Sequence, residues 1–151
     1  MDVWEADKSL YDTVKELIAN HHTDLVDVED EIAIIFREKA SKTGDGRVHL
    51  GKSRKAPPLL GVLTTTDYKF VIELAGDEWN SLNNKERLAL LDHHLCACRV
   101  EKDQTTGEIK KCWIQPPVGF YREEVERHGW WRTGHVTPPD QTTIDVIFGD
   151  D

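Results

Sequence analysis

The residues best suited to chemistry crowd into one short stretch, NKERLALLDHHLCAC, from Asn84 to Cys98. It holds the imidazoles of His93 and His94, the thiols of Cys96 and Cys98, and the carboxylate of Asp92. Imidazole and thiolate are the donors that zinc takes in closed tetrahedral sites. His94 and Cys98 stand at i and i+4, which puts them on one face of a helix. Cys112 lies beyond a turn that can fold it back, so His93, His94, Cys98 and Cys112 form a candidate ligand set for zinc. Two features oppose that set. Adjacent histidines on a helix do not face one way, and small buried cysteines pack as apolar side chains.

Three further groups are candidates for binding rather than catalysis. Lys52, Arg54 and Lys55 form a basic strip that suits phosphate, or else a solvated loop. Asp24, Asp27, Glu29, Asp30 and Glu31 form an acidic run able to imitate the charge of a nucleic-acid backbone. The Trp130–Trp131 pair suits either a core-and-edge anchor or a partner contact, since interfaces favour aromatic anchors. Were a metal present, Glu124 is the carboxylate available as a base. Thr64 to Asp67 reads as a loop and capping signal.

The elements that must position these groups follow from periodicity. Leu10, Val14, Leu17 and Ile18 mark a helix over 5–22, with His21 and His22 as a solvated helix end. EIAIIFREK (31–39) reads as a strand, and the glycines and charges of 42–55 read as a mobile loop or hairpin. Leu59–Leu63 suggests a short strand, and Tyr68–Ala75 alternates as a strand should. The leucines at 82, 88, 91 and 95 mark a helix capped by Ser81, ending near Cys98. Val100–Trp113 reads as a hairpin turning at Asp103–Gly107. Tyr121–His128 reads as a last helix stopped by Gly129, before a tail with a strand-like TIDVIF run. The expected class is α+β.

The chain has 151 residues, which predicts one domain, with its core over about 5–131 and a tail over 132–151. Basic residues number 19 and acidic ones 28, a net charge of −9, which opposes general nucleic-acid binding. The charge is uneven. Residues 1–31 carry −8, residues 32–55 carry +5 and the remainder carries −6. Three cysteines, no secretory signal and no apolar run of membrane-spanning length lead us to expect a reduced, cytoplasmic protein without membrane partners.

Gly51, Lys52, Arg54, Lys55, Trp79, Leu82, Arg87, Ala89, Leu90, Leu91, Asp92, His93, Leu95, Cys96 and Cys98 carry a likeness by which residues 51–98 are similar to the phage metallopeptidase family. Glu126-Arg127-His128-Gly129-Trp130-Trp131 resembles the family's Glu-Arg-His-Gly-x-Trp ending. The resemblance implies a small zincin-like domain. Its short mixed or antiparallel sheet would pack against an N-terminal helix and the central active-site helix. It also implies zinc held by two histidines one helical turn apart, with a glutamate between them as general base on the bound water. In this frame the glutamate falls on His94 and the second histidine on Ala97. The family's third ligand, counted back from His128-Gly129, falls on Pro116. Of these positions only His93 keeps its family residue.

The resulting expectation is a metallopeptidase-like protein without catalysis and without a cofactor, acting in the cytoplasm of an infected host cell. It would bind a host or phage protein, as an inhibitor or modulator of a defence or nucleic-acid enzyme, through an acidic, DNA-mimicking surface. The alternatives are a zinc peptidase or zinc-binding protein with a rebuilt His/Cys site, and a nucleic-acid-binding module using residues 37–55.

Overall fold

Two apolar runs, IAIIFR and FVIELA, pair side by side at the centre of the protein as β2 (Ile32–Arg37) and β4 (Phe70–Ala75). The computed structural model describes residues 3–40, 49–115 and 121–129. β2 and β4 are parallel, Ile32 opposite Phe70 and Arg37 opposite Ala75. Every residue of β4 is buried, as expected of a strand covered on both faces. β1 (Val3–Glu5) adds antiparallel to β2, and β3 (Gly51–Lys55) adds antiparallel to β4, giving the order β1-β2-β4-β3. The protein is thus α+β, with a mixed four-stranded sheet.

One sheet face carries the main core. Ile34, Phe36, Phe70, Ile72 and Leu74 pack with Val14, Leu17 and Ile18 of α1 (Lys8–His21) and with Leu91 and Leu95 of α4 (Asn84–Ala97). Leu25 and Val28 join them from a 3-10 segment, Thr23–Glu31. Each such aliphatic side chain, fully buried, stabilises the fold by about 1.5–3 kcal/mol. The opposite face holds a smaller cluster, Ala33, Ala56 and Val71 with Ile35, Leu60 and Tyr68.

Several expected elements change. Leu59–Leu63 is not a strand but a short helix, α2. Pro58 takes helical angles, φ −56° and ψ −25°, and the amides of Leu60 and Gly61 bond back to Pro57 and Pro58, so the prolines start a turn that β-propensity cannot oppose. Residues 51–55 are not a loop but the strand β3, because pairing with distant β4 overrides their glycine and charges. α1 begins at Lys8, capped by Asp7, whose carboxylate accepts from the Leu10 amide, and residues 3–5 become β1. The cap of the central helix is Asn83, not Ser81, which closes a separate short helix, α3 (Gly76–Ser81).

The hairpin is as expected. β5 (Cys98–Lys102) and β6 (Ile109–Ile114) are antiparallel. Asp103 accepts from the Thr105 and Thr106 amides in the turn, and Gly107 supplies its positive φ of 75°. α5 (Arg122–His128) ends at Gly129, φ 64°, where an L side chain is disfavoured. Among the described residues no helix is long and apolar enough to cross a membrane. Pro116, Trp130, Trp131 and the TIDVIF run lie outside the described residues.

Candidate functional site

α4 carries every potential ligand of the central stretch, and its start is well fixed. Asn83 accepts from the Glu86 amide at 2.8 Å while Glu86 accepts from the Asn83 amide at 3.1 Å, a reciprocal capping box. From Ala89 to Ala97 all residues but His93 are buried, so this helix must satisfy its polar groups inside the protein.

Asp92 is the centre of that satisfaction. Its carboxylate has no exposed surface and accepts four bonds. His22 Nε2 donates to Oδ1 at 2.5 Å and His128 Nε2 to Oδ2 at 2.8 Å. Arg127 donates through Nε to Oδ2 at 2.6 Å and through Nη2 to Oδ1 at 2.8 Å. Burial acts to raise the Asp92 pKa, but the hydrogen bonds from His22 and Arg127 outweigh it and hold the group below the usual carboxylate range. His22 therefore corrects the expected solvated helix end: it is buried, and it is the N-terminal arm of a polar network.

His93 and His94 diverge, with ring planes 77° apart. His93 turns toward α5, where its Nδ1 donates to Glu124. Glu124 is fully buried, and the same oxygen also accepts from the Tyr121 amide at 2.8 Å, capping α5. Tyr121 lies against the His93 ring, 5.2 Å between centroids. His94 turns instead toward β3. The Ser53 hydroxyl donates to the His94 carbonyl at 2.9 Å and lies 3.2 Å from Nδ1. Its single hydrogen goes to the carbonyl, which can only accept, so Nδ1 carries the imidazole hydrogen and Nε2 is a bare lone pair. That Nε2 is buried without a partner. A methyl group on Gly51 would stand 2.7 Å from it and 2.5 Å from the Glu73 carbonyl oxygen, so β3 needs glycine to pass over this helix. Burial, then the neighbouring His93, press the His94 pKa well below 6.5.

The four ligands expected from sequence are thus distributed separately. His93 is held by Glu124 and His94 by Ser53, while the Cys98 thiol points back to the His94 carbonyl at 3.5 Å and Cys112 lies on β6, opposite Val100. Among the described residues the ligand atoms that gather within 4.8 Å belong to a different trio, His22, Asp92 and Cys96. Arg127 already occupies that place, since its Nη2 reaches Cys96 Sγ at 3.7 Å as well as Asp92. Burial and then Asp92 push the Cys96 thiol pKa far up.

The expected binding surfaces are also placed. Asp24, Asp27 and Asp30 are exposed, and Glu29 and Glu31 half-buried. Lysines answer three of these five acids: Lys102 on Asp27 at 2.6 Å, Lys15 on Asp30 at 2.8 Å and Lys69 on Glu31 at 3.6 Å. Lys52, Arg54 and Lys55 lie along β3, and Arg54 is bonded to Glu73.

His22, Arg127 and His128 escaped the reading of sequence as site residues. The available signal was Asp92 itself, a carboxylate in line with Leu88 and Cys96 on an apolar helical stripe, which demands buried cationic or N–H partners.

A family model described as "Putative phage metallopeptidase" matches residues 2–137. No curated protein and no solved structure matches the chain.

Proposed function

This chain belongs to the phage metallopeptidase family, and from that premise we propose that it is a non-catalytic member, a pseudoenzyme. It acts by binding a protein, as an inhibitor or modulator of a host defence or nucleic-acid enzyme. The observation that carries the reading is His94. At the position where the family's frame calls for a carboxylate base stands a neutral imidazole, buried against Ser53 and covered by Gly51. Glu124, the carboxylate beside His93, is itself buried and engaged with His93 and the Tyr121 amide.

The zinc implied by the family does not fit the described donors. A carboxylate on one imidazole nitrogen orients the other toward a metal, and the His93–Glu124 pair has that form. Yet one turn further on stands Ala97, which has no donor, and Pro116 stands in the frame of the third ligand. A catalytic zinc takes three protein ligands.

The protein-binding half of the reading rests on the acidic run after α1. Asp24 and Glu29 make no ion pair among the described residues, while Asp27, Asp30 and Glu31 keep exposed or half-buried charges beside their lysines. Exposed pairs of this kind are held by only about 0–1 kcal/mol, so a partner's cations can displace the lysines.

The experiment has two arms. Protein purified without chelator is assayed for bound zinc and for peptide hydrolysis with zinc added; the expected result is substoichiometric metal and no turnover. The second arm captures partners from host lysate with the wild type and with a variant carrying Asp24→Asn, Asp27→Asn, Glu29→Gln, Asp30→Asn and Glu31→Gln. A partner held stoichiometrically by the wild type, lost by the variant and displaced by duplex DNA supports the mimic. Zinc-dependent hydrolysis overturns the non-catalytic half, and capture indifferent to the five substitutions overturns the acidic surface.

A further inference from the structure

The sheet face turned away from α4 carries a second polar arrangement, independent of the protein-binding reading above. Strand register sets it. Lys52 stands opposite Glu73, Arg54 opposite Val71 and Arg37 opposite Ala75, so these side chains project from the same face, two residues apart along each strand. Here Arg37, Lys39, His49, Lys52, Arg54 and Glu73 line a cavity of about 540 Å³.

Among the described residues the charge balance of that cavity is one-sided. Glu73 is buried, and one of its oxygens accepts from both guanidiniums, from Arg37 Nη2 at 3.1 Å and from Arg54 Nη2. One carboxylate therefore fixes two arginines in place and offsets a single positive charge. Lys39 and Lys52 are exposed and form no ion pair among the described residues. Arg54 Nε is buried and has no acceptor among the described residues. Asp77 stands nearby, accepting from the Ala40 amide at 3.0 Å. Two pre-positioned guanidiniums with two ammonium groups at the rim suit an anion with several oxygens, for which arginine's fork of donors is shaped.

We propose that this cavity is a binding site for an oligophosphate or phosphodiester group. Among the described residues its lining holds no Trp, Tyr or Phe on which a base could stack, so recognition is of phosphate and indifferent to the base. The volume, with four cationic side chains around it, admits several linked phosphates.

The test titrates the full chain with tripolyphosphate, with a labelled single-stranded oligothymidine and with a labelled duplex at about 50 mM salt. Each probe is run on the wild type, on Lys39→Gln/Lys52→Gln, and on Lys110→Gln/Lys111→Gln as a control for distributed charge. Both double variants alter exposed lysines on the surface and are checked by thermal melting. The expected result is saturable, salt-sensitive binding that the first variant weakens at least about tenfold and the control leaves within about twofold. Binding of tripolyphosphate alone identifies a small oligophosphate as ligand, and variant-sensitive binding of either oligonucleotide identifies a strand. If no probe saturates, or if the two variants behave alike, the proposal is overturned.

Discussion

Asp92 and Arg127, 35 residues apart in the chain, meet through hydrogen bonds of 2.6 and 2.8 Å that engage both carboxylate oxygens. The carboxylate is wholly buried, so removing its cation leaves a charge that neither water nor protein answers in full. Arg127→Ala is expected to destabilise the protein by about 3–5 kcal/mol. Arg127→Lys should recover only part of this, because an ammonium lacks the planar fork that spans both oxygens. Urea unfolding, read as a shift in midpoint at constant slope, checks both; a loss under about 1 kcal/mol for Arg127→Ala contradicts the role assigned to the pair.

The same helix predicts how stability follows pH. The Asp92 pKa is depressed in the folded state, so its contribution is present above the ordinary 3.8 and is lost as pH falls below that value. The His94 pKa is depressed below 6.5, so the unfolded chain takes up a proton there that the folded chain refuses. Stability is therefore complete above 6.5 with respect to His94 and declines as pH falls from it. The slope contributed by one such proton is at most about 1.4 kcal/mol per pH unit. In His94→Asn this component should vanish between about pH 6.5 and pH 5, leaving the acid limb below 3.8 in place. Denaturation midpoints across that range decide the matter.

Gly51 is expected to tolerate no side chain. Gly51→Ala places a methyl group 2.5 Å from the Glu73 carbonyl oxygen and 2.7 Å from His94 Nε2, an overpacking that costs about 1–3 kcal/mol. Combining it with His94→Ala removes the imidazole clash but leaves the backbone one. Rescue should therefore be partial, and full rescue in thermal melts would show that the carbonyl contact yields freely.

Cys96, Cys98 and Cys112 are all free and buried, and burial pushes their thiol pKa values up. A thiol reagent should find no fast-reacting cysteine in the native protein and three after denaturation. One rapid equivalent before unfolding would show that a thiol in this core is open to solvent.

Much of this was legible in the sequence. The periodicity of Val14, Leu17 and Ile18 gave the face of α1, the alternation of Phe70, Ile72 and Leu74 gave β4, and Gly107 and Gly129 marked a turn and a helix end. β3 was not legible, because GKSRK has no strand pattern of its own and is ordered by register against Glu73 and Ile72. Leu59–Leu63 misled for the converse reason: apolar residues after two prolines fit strand and helix alike, and the local turn decided. The polar network went unread, and His22 was expected in solvent. Asp92 on an apolar helix was the available signal, but residues 22, 127 and 128 come from three-dimensional packing that local spacing does not encode.

The sequence distance among those partners bears on how the chain is made. A ribosome delivers His22 first, Asp92 later and Arg127 with His128 later still. Until α5 has emerged, the carboxylate at the middle of α4 has one imidazole to meet it and no guanidinium, and must keep its water. α4 therefore cannot seal dry against the sheet while the nascent chain ends short of residue 127, and the part of the β2 and β4 face that Leu91 and Leu95 cover waits open beside α1 in the meantime. The last step in assembling this core therefore waits for α5. A transcript truncated before α5 should yield a product that chaperones hold and proteases clear, rather than a smaller folded protein.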